Sequence, residues 1–120
     1  MAKIKNKSRL SEMYVLDFMQ NQIDLMRNTN RFGTALNYEK TKKNFSEFLE
    51  GKKITFLAIT EQLVADYNVF LVRRGMVKNS ISFYMRIMRT VYNKAVRQKL
   101  VEQTYPFSDV YTGIDSTRKR

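Results

Sequence analysis

The sequence predicts an all-α fold, a four-helix bundle with short connections and a C-terminal linker. Four segments carry apolar residues three and four positions apart, the spacing that places side chains on one face of an α-helix. Short stretches rich in Asn, Thr and Gly separate these segments and are typical of turns. A length of 120 residues favours one domain with an ordinary core. Helices joined by short connections pack as a bundle.

The first predicted helix follows a polar, basic stretch, residues 1–8, which we expect to be a flexible lead-in. The helix can begin near Ser8 or Ser11, because serine is a good N-cap residue, and ends near Arg27. The helical domain as a whole is predicted to cover residues 9–107. The residues of the first helix expected to face inward are Met13 or Tyr14, Phe18, Met19, Ile23 and Met26.

The second predicted helix opens with Thr34 as its N-cap, runs to about Glu50 and stops at Gly51. Its expected inward residues are Tyr38, Thr41, Phe45, Phe48 and Leu49. Its expected outward residues include Asn37, Lys40, Lys43 and Asn44.

The third predicted helix begins at Thr60 and Glu61 and ends at Gly75. The apolar run before it, residues 54–59, could be a lone strand. With no partner strand in the sequence, we interpret it as an extended segment that fills the core. The inward residues of the third helix are expected to be Leu63, Tyr67, Phe70 and Leu71.

The fourth predicted helix covers residues 77–100 and is capped by residues 78–80. Its apolar stripe consists of Ile81, Tyr84, Met85, Met88, Val91, Tyr92 and Ala95. Its opposite face carries Asn79, Ser82, Arg86, Arg89, Asn93 and Arg97. After it, Tyr105, Pro106 and Phe107 are predicted to fold back on the bundle as an apolar clasp, and residues 108–120 to form a linker.

The charge of the chain predicts a polyanionic partner. The net charge is +11, and between Tyr67 and Val101 there are eight Lys or Arg residues but no Asp or Glu. A face that only needs to be soluble usually mixes both signs, because rows of one sign repel. A dense basic stripe on a helix is the expected footprint of nucleic-acid binding, although a solvated face that happens to lack acids remains the alternative.

Several classes of function are disfavoured by composition. The chain has no Cys and no His, so it cannot form disulfides and lacks the usual ligands of zinc, haem and iron–sulfur sites. Its carboxylates are scattered, and we predict no metal, no cofactor and no catalytic residue. Tyr111 has no evident activating neighbour and is interpreted as a linker tyrosine. No apolar run of membrane-spanning length and no secretory signal is present, which predicts a cytoplasmic protein.

The order of several short motifs resembles one family. They are Thr34-x-x-x-Tyr38, Phe45-x-x-Phe48-Leu49, Ile59-Thr60, Phe70-Leu71-x-x-Arg74-Gly75, Asn79-Ser80-Ile81-x-x-Tyr84-x-x-x-Met88-Arg89-x-Val91-Tyr92-Asn93-x-Ala95, Pro106-Phe107 and Ser116-Thr117-Arg118-Lys119-Arg120. Together they resemble the N-terminal core-binding (SAM-like) domain of tyrosine recombinases, the phage-integrase type found in mobile elements of Bacteroides-like bacteria. The chain departs from the family pattern at Lys78, Ser80 and Tyr105, where Pro, Thr and Asn are usual.

The resemblance implies DNA binding without cleavage. In the family, this domain grips one face of a DNA duplex and a catalytic domain that follows grips the other, so we expect double-stranded DNA and other recombinase protomers as partners, and a monomer in isolation. The catalytic residues belong to that second domain, so the chain is expected to be a non-enzymatic fragment. The resemblance nominates as DNA contacts Thr34, Asn37, Lys40, Lys43, Lys78, Asn79, Ser80, Ser82, Arg86 and Arg89.

Two other functions stay open on the sequence alone. The chain could be a stand-alone basic nucleic-acid-binding protein with no recombinase attached. It could also be a basic adaptor for an anionic membrane or an acidic protein, although a membrane binder needs a free apolar face. A catalytic pattern of Arg, His-x-x-Arg and Tyr encoded beyond Arg120 would support the recombinase.

Overall fold

The computed structural model describes residues 13–110 of the chain, and this part contains four α-helices. The helices are α1 (Val15–Asn28), α2 (Phe32–Leu49), α3 (Glu61–Arg73) and α4 (Lys78–Arg97), and a short 3-10 helix, Phe56–Ala58, lies between α2 and α3. The predicted all-α class and the number and order of the helices are confirmed.

Helix α1 begins later than the sequence predicted. Tyr14 is extended and forms an isolated antiparallel bridge with Thr55, and the Val15 amide donates to the Ile54 carbonyl at 2.8 Å. This pairing prevents residue 14 from joining the helix. Tyr14 is also 39% exposed, so of the two alternatives considered, Met13, which packs against the core, is the inward residue. The predicted starts at Ser8 and Ser11 lie outside the described residues.

Helix α2 begins two residues before the predicted cap. Asn30 adopts a left-handed conformation, with φ of 63°, and the Arg31 amide donates to the Met26 carbonyl at 2.7 Å. This tight reversal brings Phe32 directly into the next helix, with Arg31 at the N-cap, so the prediction of Thr34 as N-cap is wrong. The predicted end of α2 is confirmed.

The segment between α2 and α3 fills the core as predicted, mainly through two side chains, but it is not extended throughout, because Phe56–Ala58 form the 3-10 helix. Phe56 and Ile59 are both buried, and the Phe56 ring meets the edge of Phe18 at a centroid distance of 5.3 Å. The hydroxyl of Thr60 then accepts a hydrogen bond from the Leu63 amide at 3.2 Å, which confirms Thr60 as the N-cap of α3.

Helix α4 ends in a folded-back segment. The Tyr92 hydroxyl donates to the Glu102 carbonyl at 2.9 Å, and Phe107 is buried with its ring 6.2 Å from that of Tyr92. Phe107 therefore forms the predicted clasp, whereas Tyr105 is 68% exposed and does not. The predicted linker starts later than expected, because Val110 still packs against the core.

The side-chain contacts show that α2 and α4 run in opposite directions. The Lys94 ammonium, near the end of α4, lies 5.2 Å from the centroid of the Tyr38 ring in the first half of α2. At the other end of α2, Glu47 pairs with Arg74 at 2.7 Å, just before α4 begins. The start of α2 therefore lies beside the end of α4.

Candidate nucleic-acid interface

Nine of the ten candidate residues from the sequence lie at least partly at the surface. The exposed ones are Asn37, Lys40 and Lys43 on α2 and Lys78, Asn79 and Arg86 on α4. The half-buried ones are Thr34, Ser80 and Arg89.

Ser82 is the exception, because it is only 2% exposed and its hydroxyl oxygen has no hydrogen-bond partner. Ser82 follows the buried Ile81 and stands one helical turn before the buried Met85, so it lies at the edge of the apolar sector. A short side chain at that position is covered by the bundle. The prediction that Ser82 faces outward is wrong, and Ser82 leaves the candidate set.

The outer face of α4, residues 78–97, carries cations and amides but no carboxylate. Asn79, Arg86, Thr90 and Arg97 are exposed, and their spacing of seven, four and seven residues keeps them on one line along the helix. From Asn79 to Arg97 the line is about 27 Å long, at 1.5 Å for each residue. This is most of the length of one turn of a DNA duplex, about 34 Å. We call these four residues the α4 stripe.

The capping predicted for α4 does not occur as expected. The helix begins at Lys78 with Val77 at the N-cap, and no side chain caps it, so the prediction that residues 78–80 provide the cap is wrong. Lys78, Asn79 and Ser80 instead occupy the first turn of the helix. Their polar groups sit at its positive end, a position that favours an approaching anion.

Two of the candidate residues on α2, Thr34 and Asn37, lie far from the candidates at the start of α4. Asn79 precedes Lys94 by fifteen residues, or about 22 Å along the helix axis, and Lys94 is the residue that contacts α2 near its beginning. The antiparallel arrangement therefore places Thr34 and Asn37 near one end of α4, and Lys78 and Asn79 at the other.

A cationic cluster that the sequence did not predict surrounds the beginning of α2. It comprises Arg31, Lys94 and Arg97, and we call it the Arg31 cluster. Lys94 lies over the Tyr38 ring, and its ammonium donates to the Gln22 Oε1 atom at 3.4 Å. Burial lowers the pKa of Lys94, and the charges of Arg31 and Arg97 lower it further. Burial raises the pKa of Tyr38, an effect that Arg31 partly offsets.

No sequence signal identified this cluster before the structure. Arg31 stands in a predicted turn, more than sixty residues before Lys94, and only the packing of α2 against α4 joins them. Arg97 was assigned to the outer face of α4 but not to the candidate set. Its spacing of three residues from Lys94 makes the two neighbours on the helix surface.

An open groove of about 570 Å³ lies between the second half of α4 and the segment that follows it. Arg89, Asn93 and Arg97 line one wall, and Gln103 and Tyr105 contribute to the other. The Gln103 side-chain amide donates a hydrogen bond to Asn93 Oδ1 at 3.1 Å, which links the two walls of the groove. The groove continues the basic surface of α4 around the end of the helix.

Neither a metal-binding group of side chains nor a membrane-spanning helix is found among the described residues. Among residues 13–110, no three carboxylates gather into a group that could hold a metal ion. None of the helices in that part of the chain is both long enough and apolar enough to cross a membrane.

Comparison with known proteins assigns the chain to a family. No curated protein matches the sequence significantly, and no solved structure does so either. The family described as Phage integrase SAM-like domain matches residues 14–110, a range that includes all four helices and the folded-back segment. The chain therefore belongs to the phage integrase SAM-like domain family, the N-terminal helical domain of tyrosine recombinases.

Proposed function

We propose that this domain binds duplex DNA as one half of the clamp of a tyrosine-type site-specific recombinase. The observation that carries the proposal is the α4 stripe, an exposed helical face with no carboxylate on the whole of α4. A face of this composition attracts anions, and the phosphate backbone of a duplex would supply them along its length. Family membership supports the same conclusion.

The polar residues of the interface divide by chemistry into two proposed roles. Lys40, Lys43, Lys78, Arg86 and Arg89 would meet phosphates, which position the protein on the duplex. Asn37, Asn79, Ser80 and Thr34 would donate to phosphates or to base edges, because amides and hydroxyls can bind either. Contacts of this kind favour weak binding with little sequence preference by the isolated domain.

Recombination would require partners that this domain does not supply. We propose that DNA integration depends on a catalytic domain and on further protomers bound to the same site, and that the isolated domain is a monomer in the cytoplasm, near the nucleoid. Its part would be to hold one face of the recombination-site duplex while the catalytic domain acts from the other.

The membrane-adaptor alternative is disfavoured by the packing of α4. The apolar side of that helix, which includes Met85, Met88 and Val91, is fully buried in the bundle. An interfacial helix needs its apolar side free to enter the lipid.

Binding of a fluorescent 20-base-pair duplex at increasing salt tests the proposal, and Arg86→Glu tests the surface. If about four to six phosphates are neutralised, log K should fall with log salt at a slope near −4 to −5. Arg86→Glu should weaken DNA binding. Because Arg86 is exposed, the substitution should change the free energy of unfolding by only about 0.5 kcal/mol or less. A slope indistinguishable from zero in the wild type would contradict DNA binding.

Two control variants make this experiment specific. Lys52→Glu reverses one exposed positive charge outside α4, so it alters net charge by the same amount as Arg86→Glu. Ser82→Ala removes a hydroxyl that the sequence placed in the interface and the structure buries. Both should bind almost as well as the wild type. If Arg86→Glu binds as tightly as Lys52→Glu, the α4 stripe is not the contact surface.

A further inference from the structure

We propose that the Arg31 cluster is a second phosphate-binding site for the same DNA, at the opposite end of α4 from Lys78 and Asn79. The inference rests on the proposed function, because it takes duplex DNA as the ligand. It adds to that function a site of three residues, Arg31, Lys94 and Arg97, none of which belongs to the set of candidates predicted from the sequence.

The position of Lys94 is fixed by uncharged neighbours from two other helices. Its ammonium lies 5.2 Å from the Tyr38 ring centroid and 3.4 Å from Gln22 Oε1. Because α1, α2 and α4 all contact this one side chain, its position is largely set before any ligand binds. A positioned donor loses less conformational entropy on binding than a freely rotating surface lysine.

The charges of the cluster are not neutralised within the described part of the chain. No ion pair joins Arg31, Lys94 or Arg97 to a carboxylate among residues 13–110, and the neighbouring Glu39 is paired with Arg27. The lowered pKa of Lys94 agrees with this geometry, since both of the charges that act on it are positive. A half-buried cation with other positive charges nearby is destabilising unless an anion joins them.

The composition of the cluster suits a phosphate group. Arg31 precedes Tyr38 by seven residues, so both lie on the side of α2 that Lys94 contacts, and Arg97 follows Lys94 by one turn of α4. Ammonium and guanidinium groups brought to one region can bind different oxygens of a tetrahedral anion. The positive end of the α2 dipole lies at Arg31, where no side chain caps the helix, and adds to the attraction. The backbone at Gly33 is open, because an added Cβ would meet no atom within 4 Å.

The separation of the two ends of α4 indicates a continuous backbone as the ligand. Asn79 and Lys94 are about 22 Å apart along the axis of α4, a distance that corresponds to six or seven nucleotide steps of 3.4 Å along one DNA strand. A duplex of one or two turns can therefore contact both ends of α4 at once. A free phosphate ion can occupy only one of them.

Substitution of Lys94 by Met tests the site. Methionine keeps an apolar stem against Tyr38 and removes the half-buried charge, so Lys94→Met should melt at the wild-type temperature or above it. Removing one phosphate contact should decrease the magnitude of the salt slope by about one and weaken binding of the 20-base-pair duplex about five- to tenfold at 0.1 M salt. Arg31→Gln, at an exposed position outside α4, should have a similar effect on binding.

Lys53→Met is the matched control, because Lys53 lies over the Tyr14 ring at 5.5 Å in the same type of contact and carries the same charge. Lys53→Met should leave the slope of log K against log salt unchanged. If Lys94→Met and Arg31→Gln both bind like Lys53→Met, while Arg86→Glu binds weakly, the second site is refuted and the proposed function stands. If the wild type itself shows no salt-dependent binding, the proposed function fails and this inference fails with it.

Discussion

The hydrogen bond between Tyr67 and Asn44 is the main polar contact inside the bundle. The Tyr67 hydroxyl donates to Asn44 Oδ1 at 2.5 Å, and both residues are buried. Burial raises the pKa of Tyr67 well above its ordinary value, with a smaller contribution from Tyr84. The phenol therefore stays neutral in the folded protein under conditions in which it would ionise in the unfolded chain.

Tyr67→Phe should destabilise the domain by about 1–3 kcal/mol at pH 7, because Asn44 Oδ1 loses its buried donor. The difference should shrink at alkaline pH. A raised folded-state pKa gives stability that is complete below the unfolded value, near 10, and is lost as pH rises above it. Urea unfolding of both proteins at pH 7 and pH 10.5 measures the two differences. Equal differences at both pH values would contradict the pKa shift of Tyr67.

Asn44 and Ser82 show what the sequence could not predict about single residues. Helical periodicity gives the direction of the buried face, but the width of that face depends on which helices pack against it. Asn44 was predicted to face outward, and it is buried because Tyr67 approaches it from α3. Polar residues at the edge of an apolar stripe can lie on either side of the boundary, and their chemical type does not decide which.

At the scale of the element, the second half of α2 is anchored by aromatic side chains from two helices. Phe45 is 2% exposed and meets the Tyr67 ring edge-on at 5.1 Å. Phe48 contacts the rings of Tyr67 and Phe70 but is only partly buried, so the sequence overestimated its share of the core.

Phe45→Ala should therefore destabilise the domain by about 3–5 kcal/mol, the usual result of emptying a buried aromatic site. Phe48→Ala should have a clearly smaller effect, because water already reaches part of that ring. Thermal or urea unfolding of the two variants ranks them directly. A larger loss for Phe48→Ala would mean that the packing of α2 against α3 is different from the one described.

Helix starts were predicted well only where a side chain performs the capping. Thr60 bonds to the Leu63 amide, and the sequence identified it correctly. The caps of α2 and α4 are Arg31 and Val77, neither of which forms a side-chain cap, and the sequence favoured residues of better capping chemistry nearby. The turn at Asn30 was recognised by composition, but its tightness depends on backbone bonds that composition does not specify.

At the scale of the whole molecule, the direction of each helix determines which basic residues are neighbours. The sequence predicted the fold class, the helix order and the basic face of α4. It could not predict that α2 and α4 run antiparallel, because that follows from long-range contacts such as Lys94 with Tyr38. The interface that we propose is consequently longer than the sequence indicated, with the Arg31 cluster at its far end.

The domain should not form a covalent adduct with DNA. The chain contains no His, and the family places its catalytic residues in another domain, as the resemblance described above implies. Prolonged incubation with duplex DNA, followed by electrophoresis in SDS, should show no retarded band. If a band appears, Tyr105→Phe is the first variant to compare, since Tyr105 shares a groove with Arg89 and Arg97.

The bond from the Val15 amide to the Ile54 carbonyl has a consequence for the kinetics of local opening. Amides in the first turn of a helix usually lack an intrahelical acceptor and exchange with solvent readily. Val15 is completely buried and its amide is bonded at 2.8 Å, so its proton should exchange slowly, unlike the amide of the exposed Phe32 at the start of α2. The exchange rate of this one proton thus measures how often the segment before α3 detaches from the start of α1.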